Sequence, residues 1–334
     1  MNNIMSKDKP ESINLDLRDK RLLYQLDLNA RQSNSQIGKR THLNKNTVSY
    51  RIDRLKEKGI ITGFYTEINM YKLGYKTFRI FIRFQDLTKD GEKDIINHFA
   101  NDPKVTWILS VEGAYDLILG VMVKTNSEFY EFKEDLLYRY SKYIQNISYS
   151  IYVRMYQYKK DYLLDLKRRE LNFKIMGGED ITKIDEIDDK ILQILAVNAR
   201  MPLFDIAAKL KISPKVVVYR IKQLMKKEII QSFRVMLNNE LLGYKWYKIH
   251  FWLKNFNKEQ KEELERFVRT NPNVIFTNDT IGGADFEPEL HVKNEDELRN
   301  FINTIRENFP SIIKDYEILH YYKIHKNLNY FPVK

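Results

Sequence analysis

Cysteine is absent from all 334 residues. That excludes a disulfide framework, a thiolate nucleophile and any cysteine-ligated zinc site, and it makes a reducing cytoplasm the simplest home. Long apolar runs are missing as well. None approaches the ~18 residues a membrane-spanning helix needs, and the start, MNNIMSKDKPESIN, is polar where a secretion signal would be apolar. No glycine-rich phosphate loop, nucleophile elbow or pair of catalytic carboxylates stands out. The histidines, His42, His98, His250, His291, His320 and His325, show no metal-ligand spacing on one face. His320 and His325 flank an aromatic strand, where packing is the ordinary role. The expectation is therefore a cytoplasmic non-enzyme with no catalytic residues, no metal, no cofactor and no membrane partner.

What the chain does have is positive charge, in few places. The net charge is +11, which favours a polyanionic partner. Residues 15–76 hold 13 basic and 6 acidic side chains, residues 184–245 hold 11 and 7, and the remainder is balanced. The whole excess thus lies in two short segments.

Those segments are copies of each other. With a constant shift of 169, Asp16 falls on Asp185, Asn29-Ala30-Arg31 on Asn198-Ala199-Arg200, Tyr50-Arg51-Ile52 on Tyr219-Arg220-Ile221, and Leu73-Gly74-Tyr75-Lys76 on Leu242-Gly243-Tyr244-Lys245. The register continues through Pro103 and Pro272, Gly113 and Gly282, Asp116 and Asp285, Phe132 and Phe301, and Tyr152 and Tyr321. One unit occurs twice.

Within a unit, three apolar periods of helical spacing come first: Leu15, Leu22, Leu23 and Leu26; the short stretch SNSQIGKRT; and Val48, Ile52 and Leu55 behind the N-cap Asn44. IITGFYTEI, broken by Gly63, predicts a small hairpin or wing. KTFRIFIRF, GEKDIINHFAN, KVTWILSV, YDLILGVMV, SEFYEFKEDLLYRY and IQNISYSIYV then read as strand, helix, strand, strand, helix and strand, the ferredoxin-like βαββαβ order. The fold class is α+β: two copies of an N-terminal, winged or simple helix-turn-helix followed by a ferredoxin-like domain. The expected boundaries are a disordered start at 1–14, helix-turn-helix units at 15–75 and 184–244, ferredoxin-like domains at 76–158 and 245–334, and a linker at 159–183 whose MGGEDITK suits a flexible joint.

The third helix of each unit has the two faces a major-groove reader needs, an apolar back and a polar, cationic front. In copy one, Asn46 and Ser49 could meet base edges, while Lys45, Arg51 and Arg54 hold phosphates, Tyr50 offers a hydroxyl and Thr47 is a further DNA-binding candidate. In copy two the candidates are Lys215, Val218, Tyr219, Arg220 and Lys222, behind Ser213 as N-cap and Pro214 at the first helical position. Asn46 and Ser49 become Lys215 and Val218, so copy two keeps charge and loses polar groups.

LDLRDKRLLYQLDLNARQSNSQIGKRTHLNKNTVSYRIDRLKEKGIITGFYTEINMYKLGY, followed by a βαββαβ pattern containing VEGAYDLIL, resembles the Lrp/AsnC (feast/famine) transcription regulators over almost the whole chain. The resemblance implies a sequence-specific reader of double-stranded DNA, joined to a domain that dimerises through its sheets and binds an amino acid or another small-molecule effector. It places Gly113, Asp116, Gly282 and Asp285 at the turn associated with the effector cleft, although a glycine and a turn-capping aspartate also suit a tight β-turn without any ligand. Copy two has GGADFEPEL there, and Pro288 with two extra carboxylates predicts a bent or broken strand and a more acidic pocket. Fusion predicts an intrachain pseudo-dimer, with further homo-oligomers or a copy-to-matching-copy assembly as the alternative. Two other functions compete: a chromatin-like architectural DNA-binding protein, and a siroheme-decarboxylase-like enzyme. The second is opposed by the absence of histidine from KVTWILSVEGAYD and NVIFTNDTIGGAD.

Overall fold

Each half of the chain builds the same series of elements, and the two halves close on each other. The structure, a computed structural model, describes residues 13–166 and 173–328; residues 1–12 of the expected disordered start lie outside them. Helices α1 (Leu17–Leu28), α2 (Asn34–Thr41) and α3 (Lys45–Glu57) form the first trihelical unit. Side chains cap all three: Asp16 accepts from the Asp19 amide, Ser33 and Gln36 make a reciprocal capping box, and Asn44 accepts from Thr47 at 2.7 Å. Strand β1 (Ile61–Ile68) follows. The ferredoxin-like part is β2 (Lys76–Phe84), α4 (Lys89–Asn101), β3 (Val105–Glu112), β4 (Leu117–Val123), α5 (Asn126–Tyr140) and β5 (Ile144–Gln157). After β6 (Lys174–Gly177), half two repeats the plan as α6 (Glu186–Val197), α7 (Leu203–Leu210), α8 (Pro214–Lys226), β7 (Ile230–Leu237), β8 (Lys245–Leu253), α9 (Lys258–Arg269), β9 (Val274–Ile281), β10 (Glu287–Val292), α10 (Glu295–Asn308) and β11 (Ile313–Asn327).

The expected wing does not form as a hairpin. β1 has no partner in its own half; it pairs antiparallel with β7, its counterpart in the other. Tyr65 lies opposite Arg234, its own equivalent, so a pseudo-twofold axis passes through that pair. Gly63 marks a register irregularity in this ribbon, not a hairpin turn. A two-stranded ribbon needs more apolar burial than it can provide alone, and the readers provide it. Leu22, Leu26, Val48, Ile52 and Leu55 form one continuous core with Phe64, Ile191, Leu195, Val217, Ile221, Leu224 and Phe233.

Each βαββαβ sheet has the order β5-β2-β4-β3 or β11-β8-β10-β9, and the sheets join at both edges, β5 to β9 and β11 to β3. The result is a closed ring of eight strands with β6 added against β5. The two junctions share one register: Ile151 opposite Ile281 and His320 opposite Glu112, with the same slip after Tyr152 and after Tyr321. Strand alternation sends Phe78, Ile80 and Ile82 outward under α4 and α5, and turns Phe81 into the space between the sheets. Tyr247, Ile249 and Phe251 do the same under α9 and α10.

Two further expectations are corrected. The segment 159–183 is no simple flexible joint. Tyr162 and Leu163 are buried, the Lys160 ammonium donates to Asp27 at 2.6 Å, β6 extends the sheet, and a Cβ on Gly177 would stand 2.5 Å from the Val153 carbonyl oxygen. Residues 167–172 of that segment lie outside the described residues. The Pro288 expectation is corrected in part. β10 runs through Pro288 paired with β9, with a register slip after Glu289, while its ladder to β8 stops at Glu289 and leaves only the single bridge of Phe286 to Phe251 beyond the proline; the two glutamates are neutralised inside the ring by Arg79 and Lys248. Among the described residues no helix is long and apolar enough to cross a membrane, and no group of three or more His, Asp or Glu could hold a metal ion.

Candidate nucleic-acid interface

The backs of α3 and α8 are Val48, Ile52 and Leu55, and Val217, Ile221 and Leu224, all buried. That fixes which side chains face out. On α3, Lys45, Asn46 and Tyr50 are exposed and Thr47 and Ser49 half-buried; on α8, Lys215, Tyr219 and Lys222 are exposed and Val218 half-buried. The two tyrosines occupy equivalent sites and are 65 and 63 % exposed, so neither is the packed residue with a wet tip that a helix edge usually holds.

The three arginines expected on phosphates are otherwise engaged. The Arg51 guanidinium donates to Asp16 at 2.8 Å and Asp19 at 2.7 Å, leaving its side chain 12 % exposed, and Arg54 donates to Asp19 at 2.5 Å. Arg220 repeats the pattern with Asp185 and Asp188. The opening Asp-x-x-Asp of each unit is therefore a double device. Its first residue caps α1 or α6, and both carboxylates anchor the reader helix through charge-assisted bonds. With these cations set aside, the fronts differ in charge: exposed Asp53 and Glu57 offset Lys45, Lys56 and Lys58 on α3, whereas α8 carries Lys222 and Lys226 at the two acidic positions, beside Lys215 and Lys227.

Asn-Ala-Arg, in the sequence only a marker of the repeat, has a structural task that its own copy does not reveal. Arg31 donates to the carbonyls of Ala199 and Met201, and Arg200 donates to those of Ala30 and Gln32. The Ala30 amide donates to Phe233 and the Ala199 amide to Phe64. Each guanidinium also lies over the other half's phenylalanine, Arg31 over Phe233 at 5.5 Å and Arg200 over Phe64 at 5.3 Å. Burial and, for Arg31, the neighbouring Arg200 lower the pKa of these two groups. The motif clasps one reader to the other. Its reciprocity was the available signal, since the same triplet occurs once per copy beside the readers.

The turns with the effector candidates lie where the sheets join. Gly113 has φ +136°, and a Cβ there would sit 2.5 Å from the Ile318 carbonyl oxygen; Gly282 has φ +72° and would meet the Tyr149 carbonyl oxygen at 2.9 Å. The Asp116 carboxylate accepts from the Phe84 amide and Arg83, and Asp285 accepts from the Leu253 amide. The structure thus gives all four residues backbone work.

Between the readers and the ring sits a buried charge cluster. Asp27 accepts from Lys160 and, through both oxygens, from Arg234. Burial alone would raise its pKa, but Arg234 and Lys160 hold it far below the usual carboxylate range. Beside it the His291 ring, bonded to the Tyr162 hydroxyl at 2.9 Å, is pushed down to about 3, chiefly by burial and next by Lys160.

Two helix-turn-helix units with basic outer helices, clasped about an axis, define a DNA-binding protein. The family described as winged helix-turn-helix DNA-binding matches at residues 15–62 and 184–231. The HTH-type transcriptional regulator FL11 of Pyrococcus furiosus is 28% identical over 154 residues, 45% of this chain and 97% of its own length. An uncharacterized HTH-type transcriptional regulator of Pyrococcus abyssi is 34% identical over 115 residues, 34% of this chain and 77% of its own. Both relatives correspond to one half. The siroheme decarboxylase NirDL superposes with a TM-score of 0.63 at 14% identity, covering 95% of this chain and 94% of that one, a likeness of fold. The chain belongs to the Lrp/AsnC family of transcription regulators, in a tandem-duplicated form.

Proposed function

We propose that the protein regulates transcription as a fused pseudo-dimer in the cytoplasm, reading an asymmetric site in double-stranded DNA, with α3 specifying bases and α8 mainly gripping backbone. The observation that carries this is the division between equivalent fronts. Asn46 and Ser49 each offer both a donor and an acceptor, where Lys215 offers donors alone and Val218 neither, and Asp53 and Glu57 stand where α8 has Lys222 and Lys226. An acidic residue accepts from a cytosine amino group but repels phosphate, whereas lysines attract phosphate without regard to sequence. Lys45, Thr47, Tyr50 and Tyr219 complete the contact set. Arg51, Arg54 and Arg220 act through it as positioning residues.

Response to an amino acid draws support from where the Gly113–Asp116 and Gly282–Asp285 turns lie, at the joints between halves. The two turns have diverged, so the reading takes one effector site, at the first. Calorimetric titration with the twenty amino acids tests it, and no heat from any of them sinks that part alone.

Selection from random duplexes at about 150 mM salt tests the division of labour. Asn46→Ala is expected to relax one base position of one half-site at a cost of roughly 1–3 kcal/mol; Lys222→Gln is expected to weaken all sequences alike and lower the salt slope by about one. A palindrome equally constrained in both halves would sink the proposal. Retention of DNA with no motif at all would favour an architectural role.

A further inference from the structure

On the axis of a symmetric dimer a residue meets its own copy, and a buried charge there meets its like. This chain breaks that symmetry on the inner faces of its two sheets. Half one presents Phe81, Leu109, Val111, Ile118 and Gly120; the equivalent positions of half two hold His250, Asn278, Thr280, Glu287 and Glu289. Arg79 and its equivalent Lys248 are both buried, and half two neutralises both. Glu287 receives a two-pronged bond from Arg79 and lies 3.0 Å from the Lys248 ammonium, which also meets Glu289 at 3.1 Å. Arg79 is further held by the Ser150 hydroxyl at 2.7 Å and by the face of Tyr152 at 4.4 Å. Burial alone would raise the Glu287 carboxyl; Arg79 and Lys248 hold it well below the usual range.

We infer that this cluster is a pairing code: the half-one sheet accepts the half-two sheet, and neither accepts its own kind. The inference rests on the pseudo-dimer reading above. Two half-one sheets would set each Arg79 against Ile118, with no carboxylate in the wall. Two half-two sheets would bury four glutamates against two lysines. Either arrangement leaves uncompensated charge in a dry interface, the usual means by which proteins reject a wrong partner. The reader level follows the same rule independently. Tyr65 faces Arg234, which Asp27 neutralises, and the residue equivalent to Asp27 is Ala196. Half two paired with itself would set Arg234 against Arg234 with alanine in place of the acid.

The test uses full-length chains. R79E and E287R are each expected to lower the thermal midpoint by about 10 °C or more, and the two together in one chain to recover most of that loss. An unshifted midpoint in R79E, or no recovery in a folded double variant, overturns the inference. A second measurement does not depend on the charged variants folding. Because the chain has no cysteine, Y65C places a lone thiol on the axis, where it meets a second thiol only if half one pairs with half one. After refolding under oxidising conditions, Y65C alone is expected to stay single-chain. Y65C combined with R79M, K248M, E287Q and E289Q, which removes the code from the ring without burying bare charge, is expected to yield disulfide-linked chain pairs. No linked pairs from that neutral chain overturns the pairing code and leaves the pseudo-dimer standing. Linked pairs from Y65C alone overturn the pseudo-dimer reading itself.

Discussion

At the scale of single residues, burial decides what a charged or titratable group is for. Arg51 and Arg220 have the sequence position of phosphate contacts, yet each has two aspartates within 3 Å and spends its charge holding a helix in place. His291 is the opposite case, a group kept neutral by its surroundings. Its pKa is about 3 in the fold against an ordinary value near 6.5. A depressed base binds fewer protons in the folded state than in the unfolded one, so stability falls as pH drops below about 6.5 and goes on falling toward 3. The expected slope is about 1.4 kcal/mol per pH unit from this residue. Asp27 and Glu287 add losses in the same direction only below about pH 4, where the unfolded carboxylates take up protons. Thermal midpoints measured from pH 7 to 4.5 check this. His291→Asn should be less stable at pH 7 but flatter across that window, and a slope unchanged by the substitution would exclude His291 as the cause.

At the scale of elements, the sequence was clear wherever local chemistry decides and silent wherever the partner comes from far away. Asn44, Ser213 and Pro214 mark their helix starts, and the six-element ferredoxin-like order is legible from the alternation in KTFRIFIRF and the apolar spacing in the two helices of each sheet. β1 was legible as a strand, but its partner β7 lies about 169 residues away, and no local signal separates a hairpin from a ribbon shared by two copies. Glu287 and Glu289 looked like strand breakers because their neutralising cations, Arg79 and Lys248, sit on other strands. The arginines of α3 and α8 were readable as cations but not as occupied ones. The Asn-Ala-Arg clasp gives the element-scale prediction. Arg31→Ala and Arg200→Ala each remove two charge-assisted bonds to backbone carbonyls, at an expected cost of about 1.5–3 kcal/mol apiece. Because both act on one interface, the double variant should depart from additivity. Chemical denaturation of the two singles and the double measures that coupling, and strictly additive losses would mean that the two arginines do not form one clasp.

At the scale of the whole molecule, the closed ring and the shared reader core make one body of two halves that correspond, in the relatives, to separate chains. A reader pair assembled from two chains must find its partner before it can fill both half-sites, and its occupancy climbs with the square of protein concentration when chains are scarce. Here the second reader arrives with the first. Binding to a full site is expected to rise with the first power of chain concentration down to the lowest levels assayed, with a Hill coefficient near one in a titration at sub-nanomolar DNA; a coefficient near two would show that two chains are needed. A cell using such a protein could set expression of the target in simple proportion to the number of regulator molecules it makes, and a handful of chains would still act as complete units.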